Sequence, residues 1–580
     1  MCGIIARIGL NSNPIKSLKA LKELEYRGYD SYGILINNYF DNDTLLVKDI
    51  GEIKENEIEF LSNKKSNIEL GHTRWATHGC VSNSNAHPHV DDMGRYFVVM
   101  NGIIENFEEI KKELTIGFTL QNDTKLIPYF YDFYHDDNLT DYDNLIQSTK
   151  KVLKRLKGDF SFVIKYKNYI LTYKNSNPII IGKNKDEIFI CSDNMILNNN
   201  CEMTTLLDDY EISICKLEGN NLHLEFRDKE FNQIEKRWNK CSPNKIAIIK
   251  DTQYFMEKEI LEQISLRNIL TDYNIENIKE LSNKLKNTKN IFLIGAGTSY
   301  HAAYYLHYKL LENNVHSNLI IASELDHYIN IIKDSTVICF SQSGETADII
   351  SPLKKIDNSN EIFSIVNTKY STLDRMSKKS IYLNCGKEIG VASTKAFTAQ
   401  MFISQLISNY IKSNSIIEID DYEKQFSKVL SENNKILDKI VSDFCSSKAF
   451  FFLGKKHNYP LAIEGALKLK EISYKFCEGF AGGELKHGTL SLIEDKIPVI
   501  VIGDNDNIIS NAIEVKTRGG HIIGINDNED DVYDYFIKIP KSYKELFSVI
   551  IMQVIAFKMS NILGLNPDKP RNLAKSVTVK

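Results

Sequence analysis

The sequence predicts an α+β domain of stacked, mostly antiparallel sheets followed by two doubly wound α/β domains in tandem, and three observations carry that prediction. Residues 1–225 alternate short β-type runs with few helical stretches. A polar stretch at 226–247, with Arg227-Asp228-Lys229-Glu230 and Lys236-Arg237-Trp238-Asn239-Lys240, reads as a connector. Beyond it, apolar runs begin near Ile291, Thr336 and Ile362 and again near Phe450, Ile497 and Ile522, with spacings of 45 and 26 residues against 47 and 25. Each run is followed by a helical stretch, so each copy is expected to be a βα unit on a parallel sheet. The expected domains are 1–225, 280–418 and 441–565, with a linker at 226–247 and a tail at 566–580.

Composition narrows the function classes. The 580-residue chain carries a formal net charge of -5, which offers no basic patch for nucleic acid or an anionic membrane. Its longest near-apolar run, Phe547 to Phe557, is short of the roughly 20 residues of a membrane span. Ten cysteines without Cys-x-x-Cys spacing suit a reducing cytoplasm. No cofactor or metal site is expected.

In the first domain, strands are expected at Ile4–Leu10, Tyr32–Ile36, Tyr96–Met100, Phe160–Tyr166, Ile179–Ile181 and Ile188–Ile190, with helices around 14–26 and 103–114. Polar clusters fall at their ends: Glu25-Tyr26-Arg27-Gly28-Tyr29-Asp30-Ser31, His72-Thr73-Arg74-Trp75-Ala76-Thr77-His78-Gly79, and Asn101-Gly102. Taken singly, each has a plain reading: a turn, a stacked cation, satisfied histidines. Together they match one need. With Met1 removed, Cys2 carries a thiol and an α-amine, and an amine titrating at about 7.7–8.0 takes the thiol's proton. The thiolate's attack on a carboxamide makes an oxyanion, which the Asn101 side-chain amide and the Gly102 N–H suit. For a glutamine substrate, Arg74 suits the α-carboxylate and Asp123 the α-ammonium.

These residues, with Asn85-Ala86-His87-Pro88-His89 and Ile103-Ile104-Glu105-Asn106, resemble the glutaminase domain of the glutamine:fructose-6-phosphate amidotransferase family. The resemblance implies an N-terminal-nucleophile fold with Cys2 as nucleophile and Asn101 and Gly102 as oxyanion hole. It places Arg74, Thr77, His78 and Asp123 around glutamine, Trp75 as a gate on the ammonia path, and Arg27 on a loop that closes over glutamine.

In the first repeat copy, Gly295-Ala296-Gly297-Thr298-Ser299 leads into a helix near His301, and Ser341-Gln342-Ser343-Gly344-Glu345-Thr346 follows a buried strand. Hydroxyls and a helix N-terminus favour a phosphate. The matching turn of the second copy, Gly503-Asp504-Asn505-Asp506, carries carboxylates that repel one. Tyr300 stands where a dinucleotide fingerprint has its third glycine, and no Walker A stretch occurs.

Converting a ketose to an aminated aldose needs ring opening, an imine and a proton moved between C1 and C2. Glu464, Lys468 and Glu471 recur at helical spacing after Pro460, which reads either as an ion-pair row or as this machinery. The stretches Glu388 to Phe397, Leu461 to Tyr474, Gly483 to Gly488 and Pro570 to Val579 resemble the sugar isomerase (SIS) half of the same family. That resemblance implies Thr298, Ser299, Ser341, Gln342, Ser343 and Thr346 on the phosphate of fructose 6-phosphate, and Val391, Ala392 and Ser393 on the sugar. It implies Glu471 as the base with Lys468 beside it, His487 as the acid that opens the ring, and Lys575 near the sugar carbonyl. It also implies a homodimer in which His487 serves the neighbouring subunit's site, and a product, glucosamine 6-phosphate, that opens the route to UDP-N-acetylglucosamine.

Departures are modest: Gly295-Ala296 where many members have Ala-Cys, Tyr32 for Ala, and Thr489 for the proline after His-Gly. Two rival readings remain open. An amidotransferase acting on a phosphoribosyl diphosphate is disfavoured by the tandem repeat and Lys575, and a catalytically dead sugar-phosphate sensor by the intact set Cys2, Glu471, His487 and Lys575.

Overall fold

The computed structural model describes residues 2–41, 43–75, 79–114, 122–175, 177–241, 252–503 and 506–575. The chain divides into two compact units at residue 244.

The first unit is built on two antiparallel sheets, of eight and seven strands. At the centre of the larger, Gly3–Gly9 lies between Glu187–Cys191 and Ile68–Arg74. Its side chains alternate between two cores, as a two-residue period requires. Ile4, Ala6 and Ile8 meet Val99, Val163, Ile170 and Cys215 of the second sheet. Ile5 instead packs on Leu18, Leu21 and Leu24, at helix Ile15–Glu23. The outer face of the second sheet, with Tyr96, Val98 and Met100, is covered by helices Leu126–Phe133 and Asp141–Arg155. The result is four layers, α/β/β/α, and it explains why Gly3–Gly9 reads as nearly continuous apolar sequence: both its faces are buried.

The expected strands are present, Phe160–Tyr166 with the expected ends and the others with shifted ones. One shift matters, because Tyr96–Gly102 runs on through Asn101 and Gly102, which pair with Ser161 and Phe160 and do not form a turn. Gly102 has φ +115, and a Cβ there would lie 2.1 Å from the Asp159 carbonyl, so only glycine fits this close approach. Helices at Glu55–Ser62, Leu126–Phe133, Asp141–Arg155 and Asn194–Asn200 were not among the expected ones. Leu126–Phe133 has one charged residue, Asp132, in eight and a proline at 128, so it reads as a short apolar run and not as a helix.

Much of 226–241 belongs to the sheets. Gln233–Ile234 pairs with Phe226 and Arg227, and Asn239–Lys240 with Met203 and Thr204. Trp238 lies edge-on to Phe226 at 6.2 Å, under the Lys183 ammonium at 4.0 Å. Residues 242–247 of the expected linker lie outside the described residues.

The second unit holds two five-stranded parallel sheets of the same topology. In the first the order is Asn318–Ile321, Ile291–Gly295, Thr336–Ser341, Glu361–Val366, Lys379–Tyr382; in the second it is Phe476–Ala481, Ala449–Gly454, Pro498–Ile502, His521–Asn526, Tyr535–Lys538. Both read 2-1-3-4-5 in chain order, so the order reverses between first and third strands and opens a crevice at their carboxyl ends. The second strand of each copy is absent from the expected runs because it is a half-exposed edge whose apolar stretch is short in Asn318–Ile321 and broken by Glu478 in Phe476–Ala481. One core joins the sheets, from Leu293 and Ile338 to Phe452 and Ile500. Helix Lys544–Ile562 runs through it, packed on Asn458–Ser473 and Tyr422–Phe444. By length and a mean hydropathy of 1.4 that helix is apolar enough to cross a membrane, yet most of its apolar residues are enclosed by the core.

Candidate active sites

The first site gathers at one end of strand Gly3–Gly9. The Trp75 backbone brackets the Cys2 thiol: its N–H donates to Sγ at 3.3 Å and its carbonyl accepts from Sγ at 3.5 Å. The Asn101 amide donates to the Cys2 carbonyl at 3.1 Å, as does Arg27 Nε at 3.2 Å. Arg27 also binds the Ser192 carbonyl at 3.0 Å, which ties the loop after the first helix to the start of the chain. The Trp75 ring meets Tyr29 edge-on at 5.6 Å.

The orientation of Asn101 follows from His72. Its Nε2 lies 3.1 Å from the Met100 carbonyl and 3.2 Å from Asn101 Oδ1, two acceptors, so Nε2 carries the proton. This fixes Oδ1 toward His72 and the NH2 toward Cys2. Burial first, then the Arg74 charge, lowers the His72 pKa to about 3, so the ring is neutral. It stacks on His87 at 4.2 Å, and burial likewise holds His87 and His89 neutral. The three rings are packing and orienting groups, and no cluster fit to hold a metal occurs among the described residues.

Arg74 is buried at the end of its strand; burial lowers its pKa, against the neighbouring Cys2, Asp123 and Asp30. Asp123 is buried and accepts from Ile104 N at 3.0 Å and Thr124 N at 2.9 Å. Cys2, Asn101, Gly102, Arg74, Asp123, Trp75 and Arg27 thus belong to one region, while Thr77 and His78 lie outside the described residues.

The second site occupies the crevice of the first parallel sheet. Gly295 ends strand Ile291–Gly295, where a Cβ would press within 2.7 Å of Ser299 O and Tyr300 N, and helix Thr298–Leu311 starts directly beyond. The Ser299 hydroxyl accepts from Gln400 at 3.0 Å. In the second loop Ser341 Oγ meets Thr346 Oγ1 at 2.9 Å and accepts from Gly344 N at 3.0 Å, while Ser343 Oγ accepts from Glu345 N at 3.1 Å. The one carboxylate of this loop, Glu345, is turned onto Thr372 N at 2.8 Å, which leaves the loop itself lined by hydroxyls and amides.

Helix Asn458–Ser473 faces this crevice from the second copy. Lys468 Nζ reaches Glu471 Oε2 at 2.6 Å, Thr298 Oγ1 at 3.1 Å and Glu464 Oε1 at 3.4 Å. Burial opposes the Lys468 charge, but Glu471 and Glu464 raise its pKa above the ordinary value, so it stays an ammonium. The Glu471 side chain is 20% exposed against 1% for Lys468 and Glu464, and burial raises its pKa despite Lys468. The open, basic carboxylate of the row is therefore Glu471. The Thr298 hydroxyl, expected on phosphate, is engaged with Lys468 and Glu464.

The tail closes on the segment 388–393. Lys575 Nζ lies 2.5 Å from Glu388 Oε2, Ser393 Oγ donates to the same oxygen at 3.0 Å, and Val391 N donates to the Asp568 carbonyl at 3.0 Å. Burial opposes ionisation of Glu388, but Lys575 and the Thr394 and Ala396 N–H groups hold it down to about 2. Asp568 in turn accepts from Phe255 N at 2.8 Å and Met256 N at 2.7 Å. Ala392 is fully buried beneath this segment. His487 stands apart: it is exposed at the end of the 3-10 turn Gly482–His487, with no hydrogen bond or ion pair to Lys468 or Glu471 among the described residues.

Sequence reasoning missed Glu388, His301, Gln400, Glu259 and Asp568 as site residues. His301 had a readable signal, three residues past Thr298 and so on the same helix face. The others had none, because their partners lie more than 100 positions away.

A glutamine amidotransferase domain model matches residues 72–199, and a SIS domain model matches 284–409 and 443–561. Over their full lengths and that of this chain, curated relatives from Pyrococcus horikoshii and Staphylococcus epidermidis are each 35% identical and one from Methanothermobacter thermautotrophicus 33%. All three are named glutamine–fructose-6-phosphate aminotransferase [isomerizing]. A solved C-terminal domain of such an enzyme from Francisella tularensis is 31% identical, covering 56% of this chain and all of that one, with a TM-score of 0.49.

Proposed function

This chain belongs to the isomerizing glutamine–fructose-6-phosphate aminotransferases, and on that premise we propose how its residues divide the reaction. It is a transferase that moves the amide nitrogen of glutamine to fructose 6-phosphate, giving glutamate and glucosamine 6-phosphate. The Cys2 thiolate adds to the glutamine carboxamide, with its proton taken by the α-amine once Met1 is gone. The oxyanion draws the Asn101 NH2, already turned toward Cys2 by His72, and the Gly102 N–H. Arg74 and Asp123 take the α-carboxylate and α-ammonium, with Thr77 and His78 completing the pocket. Ammonia leaves, and water releases glutamate from the thioester.

At the sugar site the phosphate sits among Ser299, Ser341, Gln342, Ser343 and Thr346, at the N-terminus of helix Thr298–Leu311. Val391 and Ser393 face the sugar, and Ala392, fully buried, backs the segment they lie on. His487 opens the ring, Lys575 approaches the C2 carbonyl, and ammonia forms the C2 imine with loss of water. Glu471 then takes a proton from C1 and returns it to C2, producing the aldose. Ammonia is protonated in neutral water and is no nucleophile there, so it passes along a path gated by Trp75, with Arg27 closing over glutamine.

The observation that carries the reading is the convergence of Glu471, Lys468 and Thr298 from two repeat copies onto one crevice. The test is joint assay of both products from untagged protein given glutamine and fructose 6-phosphate. Equal glutamate and hexosamine 6-phosphate, abolished by Cys2→Ala, is expected; glutamate alone would refute the acceptor.

A homodimer is proposed because His487 is exposed and unengaged with its own chain's Lys468 and Glu471. Mixing His487→Ala and Glu471→Ala proteins is expected to restore part of the activity, since one hybrid site is then intact. Ten free thiols support a reducing cytoplasm.

A further inference from the structure

Glu464 is the one carboxylate of the catalytic helix to which no step above gives work. It is closed in, 1% exposed, so it does not reach substrate. Its Oε1 accepts from Thr298 Oγ1 at 3.1 Å and lies 3.4 Å from the Lys468 ammonium. Its Oε2 is held from the opposite side by His301 Nδ1 at 2.6 Å, a ring only 11% exposed on the second turn of helix Thr298–Leu311. A carboxylate oxygen accepts, so Nδ1 carries the proton whatever the charge of the ring.

We propose that His301 is a positioning residue of the sugar site: it anchors Glu464, which with Thr298 fixes the Lys468 ammonium and thereby the aim of Glu471. The chain of contacts runs His301, Glu464, Lys468, Glu471, with Thr298 bridging its middle, and each link is buried except the last. Without His301, Glu464 Oε2 is a buried, unpaired charge, and the side chain turns to recover a donor. Lys468 then loses one of its three acceptors, and Glu471 its fixed partner. The phosphate loop at Ser341 to Thr346 shares no bond with His301, so binding is spared and the proton transfer is not. This inference rests on the reading of Glu471 as the proton-moving base.

The test compares His301→Ala, His301→Asn and His301→Gln in the full chain. Asparagine places an N–H near the Nδ1 position and donates to Glu464 at any pH; glutamine carries its N–H too far out. Expected for His301→Ala and His301→Gln is a loss of about 10- to 100-fold in kcat for hexosamine 6-phosphate, with KM for fructose 6-phosphate within about 2-fold. His301→Asn is expected to recover most of kcat, and glutamate release without sugar to stay unchanged in all three. Unchanged kcat in His301→Ala, a loss carried by KM, or no recovery in His301→Asn would overturn the proposal. If thermal melting shows that His301→Ala does not fold, the Asn against Gln comparison decides alone. Wild-type protein that releases glutamate yet forms no hexosamine 6-phosphate would sink the underlying reading, whereas active wild type beside an unaffected His301→Ala sinks only the role of His301.

Discussion

Lys575 Nζ sits 2.5 Å from Glu388 Oε2 across 187 positions of sequence, with both side chains almost wholly buried. The lysine proposed for the sugar carbonyl is thus held by a carboxylate that already has Thr394 N, Ala396 N and Ser393 Oγ to lean on. Glu388 keeps three donors when Lys575 leaves, which lowers the cost of the departure.

Glu388→Gln leaves the Lys575 ammonium buried without its counter-ion. Removal of one partner of such a pair costs about 3–5 kcal/mol. Denaturant unfolding is expected to show that loss, and hexosamine formation to fall while sugar-free glutamine hydrolysis stays at the wild-type rate. Equal loss of both activities would contradict the assignment of Lys575 to the sugar site.

Asn101→Ala removes the amide proposed as an oxyanion donor. Glutaminase kcat is expected to drop about 10²- to 10³-fold, a cost of about 2.7–4 kcal/mol, with KM for glutamine changed far less. Steady-state glutamate release reads this directly, and a loss confined to KM would move Asn101 from the oxyanion to substrate binding.

Gly102→Ala forces a Cβ to within 2.1 Å of the Asp159 carbonyl at a residue with φ +115. The strand end must shift, and a strained non-glycine position costs on the order of 1–3 kcal/mol. A lower melting temperature together with glutaminase loss is expected; normal activity would show that the Gly102 N–H is not part of the oxyanion hole.

Burial and the Glu388 charge push the Glu259 carboxyl up to about 8, against a value of about 4.3 in the unfolded chain. The folded chain binds the extra proton between those values, so stability is greatest below the unfolded pKa and is lost as pH rises toward 8. Glu388, held down to about 2, loses its contribution only in strong acid, outside that window. Lys395, ion-paired with Glu262 at 2.5 Å and held above its ordinary pKa, stays a charged opponent throughout. Glu259→Gln is expected to flatten the melting profile from about pH 5 to about pH 8, with its largest relative gain at the alkaline end. A pH-independent offset would show that Glu259 is already ionised in the folded chain.

What the sequence disclosed follows from how far each signal reaches. The buried strands Ile291–Gly295 and Pro498–Ile502 announce themselves because both their faces are apolar. Edge strands Asn318–Ile321 and Phe476–Ala481 do not, since half their residues meet water. Within the site, Glu464, Lys468 and Glu471 are visible as a helical row, and the hydroxyl-rich loop at Ser341 is visible as a composition. The clamp that Glu388 and Asp568 make on the tail is a property of three distant segments brought together, and no local pattern encodes it.

The helices Thr298–Leu311 and Asn458–Ser473 are counterparts, each following the first strand of its own sheet, and they face one another across the sugar crevice. Two identical units meeting about a twofold axis would bring that same helix against itself and form two like half-sites. Joining the units in one chain frees the two helices to differ: one keeps hydroxyls and a histidine, the other takes carboxylates and an amine. Such an asymmetry is open to two units in one chain and closed to a symmetric pair, which cannot mutate one side alone.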